Sequence, residues 1–164
     1  MSADPVMDEL NKISSELQGQ SLLVGFVDGA TYTDGTSVAE VAYQNEFGEP
    51  IRNQPPRPFF RNSITAHESE WADQMGKGLR AGYSVNQVLE VMGALIAGDV
   101  KLSITQLYDP ELSPVTIALR RNEAHRKAIG KPVNTSTKPL VDTGTMLGDV
   151  GYEIRSADES TLDS

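Results

Sequence analysis

Apolar positions in this chain recur mostly at helical spacing, interrupted by two short stretches that read as strands. From residue 5 to about 18, Met7, Leu10, Ser14 and Leu17 keep a helical interval, with Leu10, Ile13 and Leu17 apolar on one side. Gly19 ends that helix. Residues 21–27, S-L-L-V-G-F-V, are a continuous apolar run of strand length, which predicts a strand covered on both faces. Asp28-Gly29 and Asp34-Gly35 mark a turn-rich loop around Tyr32. A short helix follows, with Ser37 as its cap and Glu40 three residues on completing a capping box. Val38, Val41, Ala42 and Phe47 give it an apolar stripe, and Gly48 stands where a left-handed C-cap would end it.

Two longer helices come next. From Pro58 to about Ala81, Phe60, Ile64, Trp71, Met75 and Leu79 share one face, while Glu68, Glu70, Asp73 and Lys77 point mostly elsewhere. Gly76, Gly78 and Gly82 weaken its end, each costing roughly 1 kcal/mol against alanine inside a helix. Ser84 and Gln87 form a second capping box. Val88, Met92, Leu95, Ile96, Val100, Ser103 and Leu107 then carry a stripe up to Tyr108, where Asp109-Pro110 breaks it. Joined by a glycine-containing turn, the two should pair antiparallel. Beyond Pro114 a helix over 115–128 is the only period visible, and residues 129–139 read as an exposed loop. Pro139 to Gly144 leads into one helical turn with Met146 and Leu147. Val150, Tyr152 and Ile154 alternate as a half-buried strand, and from Ser156 the tail is acidic and polar. No internal repeat is present.

Between the short helix and the first long one lies a proline-rich connector. Pro55, Pro56 and Pro58 fix φ and remove three backbone donors, so the piece is expected to run extended as a rigid arm into Phe59 and Phe60.

Composition narrows the picture. At 164 residues the chain fits a single domain over 1–155, with 156–164 a flexible acidic tail. Hydrophobic content of 38% is lean for long helices, which suits a protein that finishes burying apolar surface against copies or partners. Without cysteine there is no disulfide or thiol chemistry. No charged-then-apolar leader and no run of 18 apolar residues is present, so neither secretion nor membrane insertion is expected. The net charge of −9 is uneven. Residues 115–141 hold Arg120, Arg121, Arg126, Lys127, Lys131 and Lys138 against Glu123 alone, a local +5 that leaves −14 for the rest. The acidic body disfavours non-specific nucleic-acid binding. The basic segment, an exposed loop at about 120–138, is a candidate contact for an acidic partner surface or a plain solvated loop.

Motifs for chemistry are missing. There is no phosphate-cradling G-x-x-x-x-G-K-[ST], no strand-to-helix G-x-G-x-x-G and no G-x-S-x-G elbow. His67 and His125 keep no metal-ligand spacing and read as surface histidines. Glu40, Glu46 and Glu49 are close enough in sequence to suggest acid–base work, although 23 acids make chance pairs common. Arg57 and Arg61 suit either a carboxylate clamp or ion pairs within the chain. No nucleophile, base and orienting partner assemble, so neither an enzyme nor a cofactor is expected.

Three stretches together have a familiar form. G-F-V-D-G-A-T-Y-T-D-G-T leads to V-A-E-V-A-Y-Q-N-E-F-G and then P-P-R-P-F-F-R, and much later comes K-P-L-V-D-T-G-T-M-L before an alternating strand. The combination resembles the small neck and tail-completion proteins of long-tailed bacteriophages, the virion-morphogenesis group related to minor tail proteins. It covers residues 21–64 and 113–155. The resemblance implies an α+β fold, a small mixed or antiparallel sheet packed against long helices in a single domain, and a non-enzymatic structural role in the virion, in a homo-oligomeric ring, often hexameric, at the head–tail junction. It also implies assembly in the bacterial cytoplasm and contact with connector or stopper, terminator, tail tube or tape measure. DNA would pass the lumen without specific binding, and no membrane is involved. Asn45, Glu46, Phe47 and Gly48 match N-E-F-G; Pro56, Arg57, Pro58 and Phe59, with Phe60, match P-R-P-F; Leu140, Asp142, Thr143 and Gly144 match L-x-D-T-G. These are candidates for an assembly interface, with Phe59 and Phe60 seating against a neighbouring element and the basic loop ordering on a partner. The departure is Arg52-Asn53-Gln54, inserted before the prolines. A tail terminator of related fold is the alternative. A nucleic-acid binder working through the basic segment and a small hydrolase are the remaining ones.

Overall fold

A computed structural model describes residues 5–107, 111–135, 140 and 144–156. The expected α+β arrangement is what it contains. Helix α1 (Pro5–Gln18) is followed by strand β1 (Gln20–Phe26), α2 (Val38–Phe47), a 3-10 turn (Pro50–Arg52), α3 (Phe59–Arg80) and α4 (Val85–Gln106). Then come α5 (Pro114–Arg121), α6 (Glu123–Ala128), the single turn α7 (Thr145–Gly148) and β2 (Val150–Ser156).

The helix boundaries follow from caps. Ser84 and Gln87 close a complete box on α4, and Ser37 accepts from the Glu40 N–H to start α2. The α2 box is only half made, because the Glu40 carboxylate accepts from the Gln44 amide one turn on instead. Helices α3 and α4 run antiparallel: Gly78 lies against Val88, the Trp71 indole N–H donates to Asp99 at 2.7 Å, and the Ser103 hydroxyl donates to the Phe59 carbonyl. The buried ridge of α3 is Phe59 and Ser63, one helical row away from the predicted stripe, in which Ile64 is 39% exposed. Close helix approach explains the shift, since Ser63 is small enough to sit where a larger side chain would hold the helices apart.

β1 and β2 pair antiparallel, from Gln20 opposite Ser156 to Phe26 opposite Val150. One face, with Phe26 and Tyr152, lies on α4. The other faces solvent: Leu23 is 42% exposed. The expectation that residues 21–27 are covered on both faces is therefore corrected. A continuous apolar run does not distinguish a sheet interior from an outer strand whose free face stays apolar. The main core gathers Val38, Ala42, Phe59, Ala97, Val100, Ile104, Leu107, Leu140, Met146 and Val150, so α2, α3, α4, α7 and β2 contribute to it, while the 3-10 turn, α5 and α6 do not. The tail lies outside the described residues beyond Ser156, which is the last residue of β2. Among the described residues no helix is long and apolar enough to cross a membrane.

Gly93 of α4 lets the sheet approach: a β-carbon there would collide with the Tyr152 ring, whereas Gly98 faces open space. Gly93→Ala is expected to lower stability by about 1–3 kcal/mol through overpacking. Gly98→Ala should raise it by about 1 kcal/mol through helix propensity; urea unfolding of the two variants compares them directly. The Tyr152 phenol donates to the Glu90 carboxylate at 2.8 Å, and chiefly this bond holds the phenol above its ordinary range. A raised folded pKa means the stabilisation is complete below the unfolded value of about 10 and is lost as pH climbs through the folded value. Alkaline unfolding curves of wild type and Tyr152→Phe should therefore converge above that pH.

Candidate functional site

The N-E-F-G residues close α2 and fasten it to α3. Pro58 begins α3 without a side-chain cap, leaving first-turn N–H groups to be satisfied. Glu46, 6% exposed, does this from 14 residues upstream. Its Oε2 accepts from the Phe60 N–H at 2.9 Å, and its Oε1 accepts from the Arg61 N–H at 3.1 Å and the Arg61 Nε–H at 2.8 Å. The Arg61 Nη2 also donates to the Glu46 carbonyl at 2.7 Å. A carboxylate at a helix N-terminus is favoured by the dipole as well as by these bonds.

Its neighbours complete a bracket. The Asn45 carbonyl accepts from the Arg57 N–H, and the Asn45 Oδ1 accepts from the Gln54 amide at 3.0 Å. Gly48 has φ 82° and ψ 167°, which is not the left-handed cap expected from sequence but an extended mirror conformation that suits glycine alone. A β-carbon there would stand 2.9 Å from both the Gln54 carbonyl oxygen and the Pro56 nitrogen. Phe47 points outward, 53% exposed, with its ring 4.7 Å from Tyr43 and the Arg61 guanidinium 5.0 Å from its centroid.

The connector does not run extended along its whole length. Residues 49–54 fold into a closed loop: the Glu49 N–H donates to the Gln54 carbonyl, the Gln54 N–H donates back, and Ile51 stands 93% exposed at the tip. The insertion Arg52-Asn53-Gln54 is thus absorbed by a 3-10 turn with Asn53 at φ 50°. Beyond it, Pro55 to Pro58 run without regular structure. Phe59, 1% exposed, makes an edge-to-face contact with Phe26 in its own core, and Phe60 packs partly buried beside it. Phe59 is therefore committed within the chain and not offered to a neighbour.

The basic segment divides. The helix expected over 115–128 is two helices meeting at Asn122, which both ends α5 and caps α6 by accepting from the His125 N–H. Arg120 and Arg126 are buried, at 8% and 3%, so the segment is not one exposed loop. The Arg126 Nε donates to the Pro132 carbonyl, and the Arg120 carbonyl accepts from the Asn134 N–H. Lys131 lies over the Tyr32 ring at 5.6 Å. Arg121 and Lys127 face solvent, and Lys138 is outside the described residues. Burial and then the nearby Arg120 charge push the Arg57 guanidinium below its ordinary value. A cleft of about 680 Å³ separates the Tyr32 loop, the connector and the start of α5, with Arg52, Arg57, Arg120 and Lys131 among its walls and Asp34 and Glu111 opposing them.

Of the third signature, Leu140 is buried in the core and Gly144, at φ 80°, starts α7; Asp142 and Thr143 lie outside the described residues. Each acid suspected of chemistry has a structural bond: Glu40 to the Gln44 amide, Glu46 to α3, Glu49 to the Ile51 N–H. Arg61 takes the internal ion-pair reading. His67 stacks on Trp71, and among the described residues no cluster of three His, Asp or Glu side chains could hold a metal. Sequence reasoning missed the Glu46 cap; its signal is the Pro58 start of α3, which leaves donors for an acid elsewhere to meet. No protein-family model matches the chain, and neither curated proteins nor solved structures give a significant match.

Glu46→Ala should cost about 1–3 kcal/mol, since it leaves two helix N–H groups without their acceptor at a buried position. Glu40→Gln should stay within about 0.5 kcal/mol. Equilibrium denaturation of both variants separates a structural anchor from a surface acid.

Proposed function

We propose that this protein is a structural component of a long-tailed bacteriophage neck, completing the tail as a homo-oligomeric ring at the head–tail junction. One observation carries the reading. The first two signature stretches that motivated it, and Leu140 and Gly144 of the third, much later in the chain, meet at one corner of the fold. Asn45 of N-E-F-G accepts from Arg57 of P-R-P-F and Glu46 accepts from Phe60 and Arg61 just beyond it, while Leu140 shares the core with Phe59 and lines the same cleft as Asn45 and Arg57. A motif set that builds one rigid corner is what an assembly protein needs in order to meet its neighbours at a fixed angle.

The corner carries apolar surface with it. Tyr43 at 65%, Phe47 at 53% and Ile51 at 93% exposure give it aromatic and aliphatic anchors of the kind enriched at interfaces. These replace Phe59 as the contact residues of the reading. An acidic lumen would repel phosphate and let DNA pass without sticking. The role is non-enzymatic, and the partners are further copies together with connector, terminator, tube or tape-measure proteins.

Light scattering after size exclusion, with negative-stain imaging, should find rings, and the protein should cap isolated tails that lack it. Tyr43→Ser with Phe47→Ser should reduce ring yield at least tenfold while leaving the melting temperature within a few degrees. A strict monomer that leaves isolated tails uncapped overturns the proposal.

A further inference from the structure

The two-stranded sheet has an unguarded edge. The Val27 N–H donates to the Asp149 carbonyl, continuing the β1–β2 register, so residues 21, 23, 25 and 27 direct their backbone groups toward β2. Gln20, Leu22, Val24 and Phe26 therefore direct theirs the other way. No hydrogen bond from these four to any residue outside the strand pair is present among the described residues. The Gln20 side-chain Oε1 beside them is also buried without a partner. A row of free N–H and C=O groups is a template for another strand, and proteins usually blunt it with charge, proline or a bulge. β1, Q-S-L-L-V-G-F, has none of these.

We infer that the free edge of β1 pairs with β1 of a second copy, antiparallel about a two-fold axis through Leu23, to make a four-stranded sheet in the order β2-β1-β1-β2. Parity fixes the register. The outward-bonding residues are even-numbered, so even must face even, and among such registers the one with Leu22 facing Val24 of the partner copy and Gln20 facing Phe26 uses all four N–H and all four C=O groups of each strand. Leu23 then falls opposite Leu23 of the partner copy. It is 42% exposed on the solvent face, as is Val27 at 57%, and a cross-strand leucine pair covers that surface.

Charge selects this occupant over the alternatives. β1 carries no charged residue, so two copies meet without repulsion. β2 also has a free edge, but the two-fold pairing that uses the whole of it, about Glu153, would set like charges opposite each other. Pairing β1 with β2 of another copy would put Leu23 against Gly151, Glu153 or Arg155, where apolar cover is lost.

The chain has no cysteine, so one engineered thiol reports the contact. Facing residues in a non-hydrogen-bonded antiparallel pair have α-carbons about 4.5 Å apart, within disulfide range. Full-length Leu23→Cys under mild oxidation should give a covalent dimer at least tenfold faster than Ser21→Cys, whose predicted opposite is Gly25, or Glu153→Cys. Sedimentation of the wild type should show reversible dimers, and Leu23→Lys should raise their dissociation constant at least tenfold with an unchanged circular dichroism spectrum. A wild type that stays monomeric at several hundred micromolar, or a Leu23→Cys rate no greater than that of Ser21→Cys, overturns the inference. Fastest cross-linking at Glu153→Cys also overturns it, because the β2 edge is then the one in use. The inference is independent of the neck reading: tails can be capped with no Leu23 cross-link, and the dimer can form with no capping.

Discussion

One buried carboxylate sets the geometry on which the rest of this fold depends. Glu46 ends a helix of ten residues that is too short to be stable by itself, and it starts another by accepting from Phe60 and Arg61. Where α3 starts decides where Phe59 sits. Phe59 in turn meets Phe26 of β1 edge-on, and its carbonyl accepts from Ser103 of α4. A single acid therefore couples α2 to α3 and, through one aromatic, to the sheet and the second long helix. The connector is held by the same bracket, since it passes close over Gly48 and its Arg57 N–H donates to the Asn45 carbonyl.

Much of this architecture was legible because it is local. Ser84 with Gln87, Ser37 with the Glu40 N–H, and the spacing of Val88, Met92 and Val100 announce helices whose limits the structure matches closely. What escaped the sequence depended on distance. The Glu46 cap spans 14 residues, and no helical or strand period records it. The connector was misjudged because its prolines dominate the eye, while Glu49 and Gln54 pair across a turn that Asn53 makes with a positive φ. The α3 ridge slipped by one row because Ser63 is polar by type, yet its smallness is what the helix contact needs.

The basic segment teaches the same lesson about charge. Arginine has an apolar stem as well as a cationic head, so a count of cations says nothing of where they point. Arg120 and Arg126 are buried although both add to the positive total read from sequence, and Arg57 beside the cleft is buried too. Burial lowers the Arg57 pKa without discharging it, because guanidinium titrates far above any working pH.

That placement bears on the rival nucleic-acid reading. Affinity for a phosphate backbone comes from cations that reach it and displace condensed counterions, at roughly one power of salt per contact. Of the six cations in the basic segment, Arg121 and Lys127 are exposed, Arg120 and Arg126 are buried, and Lys131 is half-buried over Tyr32. Among the described residues of the segment these two exposed cations, on a chain of net charge −9, make a weak footprint. The surface of this protein instead offers apolar groups held by rigid backbone: Phe47 and Tyr43 on the bracket, and Leu23 beside a free strand edge. Such groups favour protein neighbours over nucleic acid, and the two patches lie on different elements. One chain can therefore contact two neighbours at once, and a chain with two distinct contacts can grow into an assembly larger than a dimer.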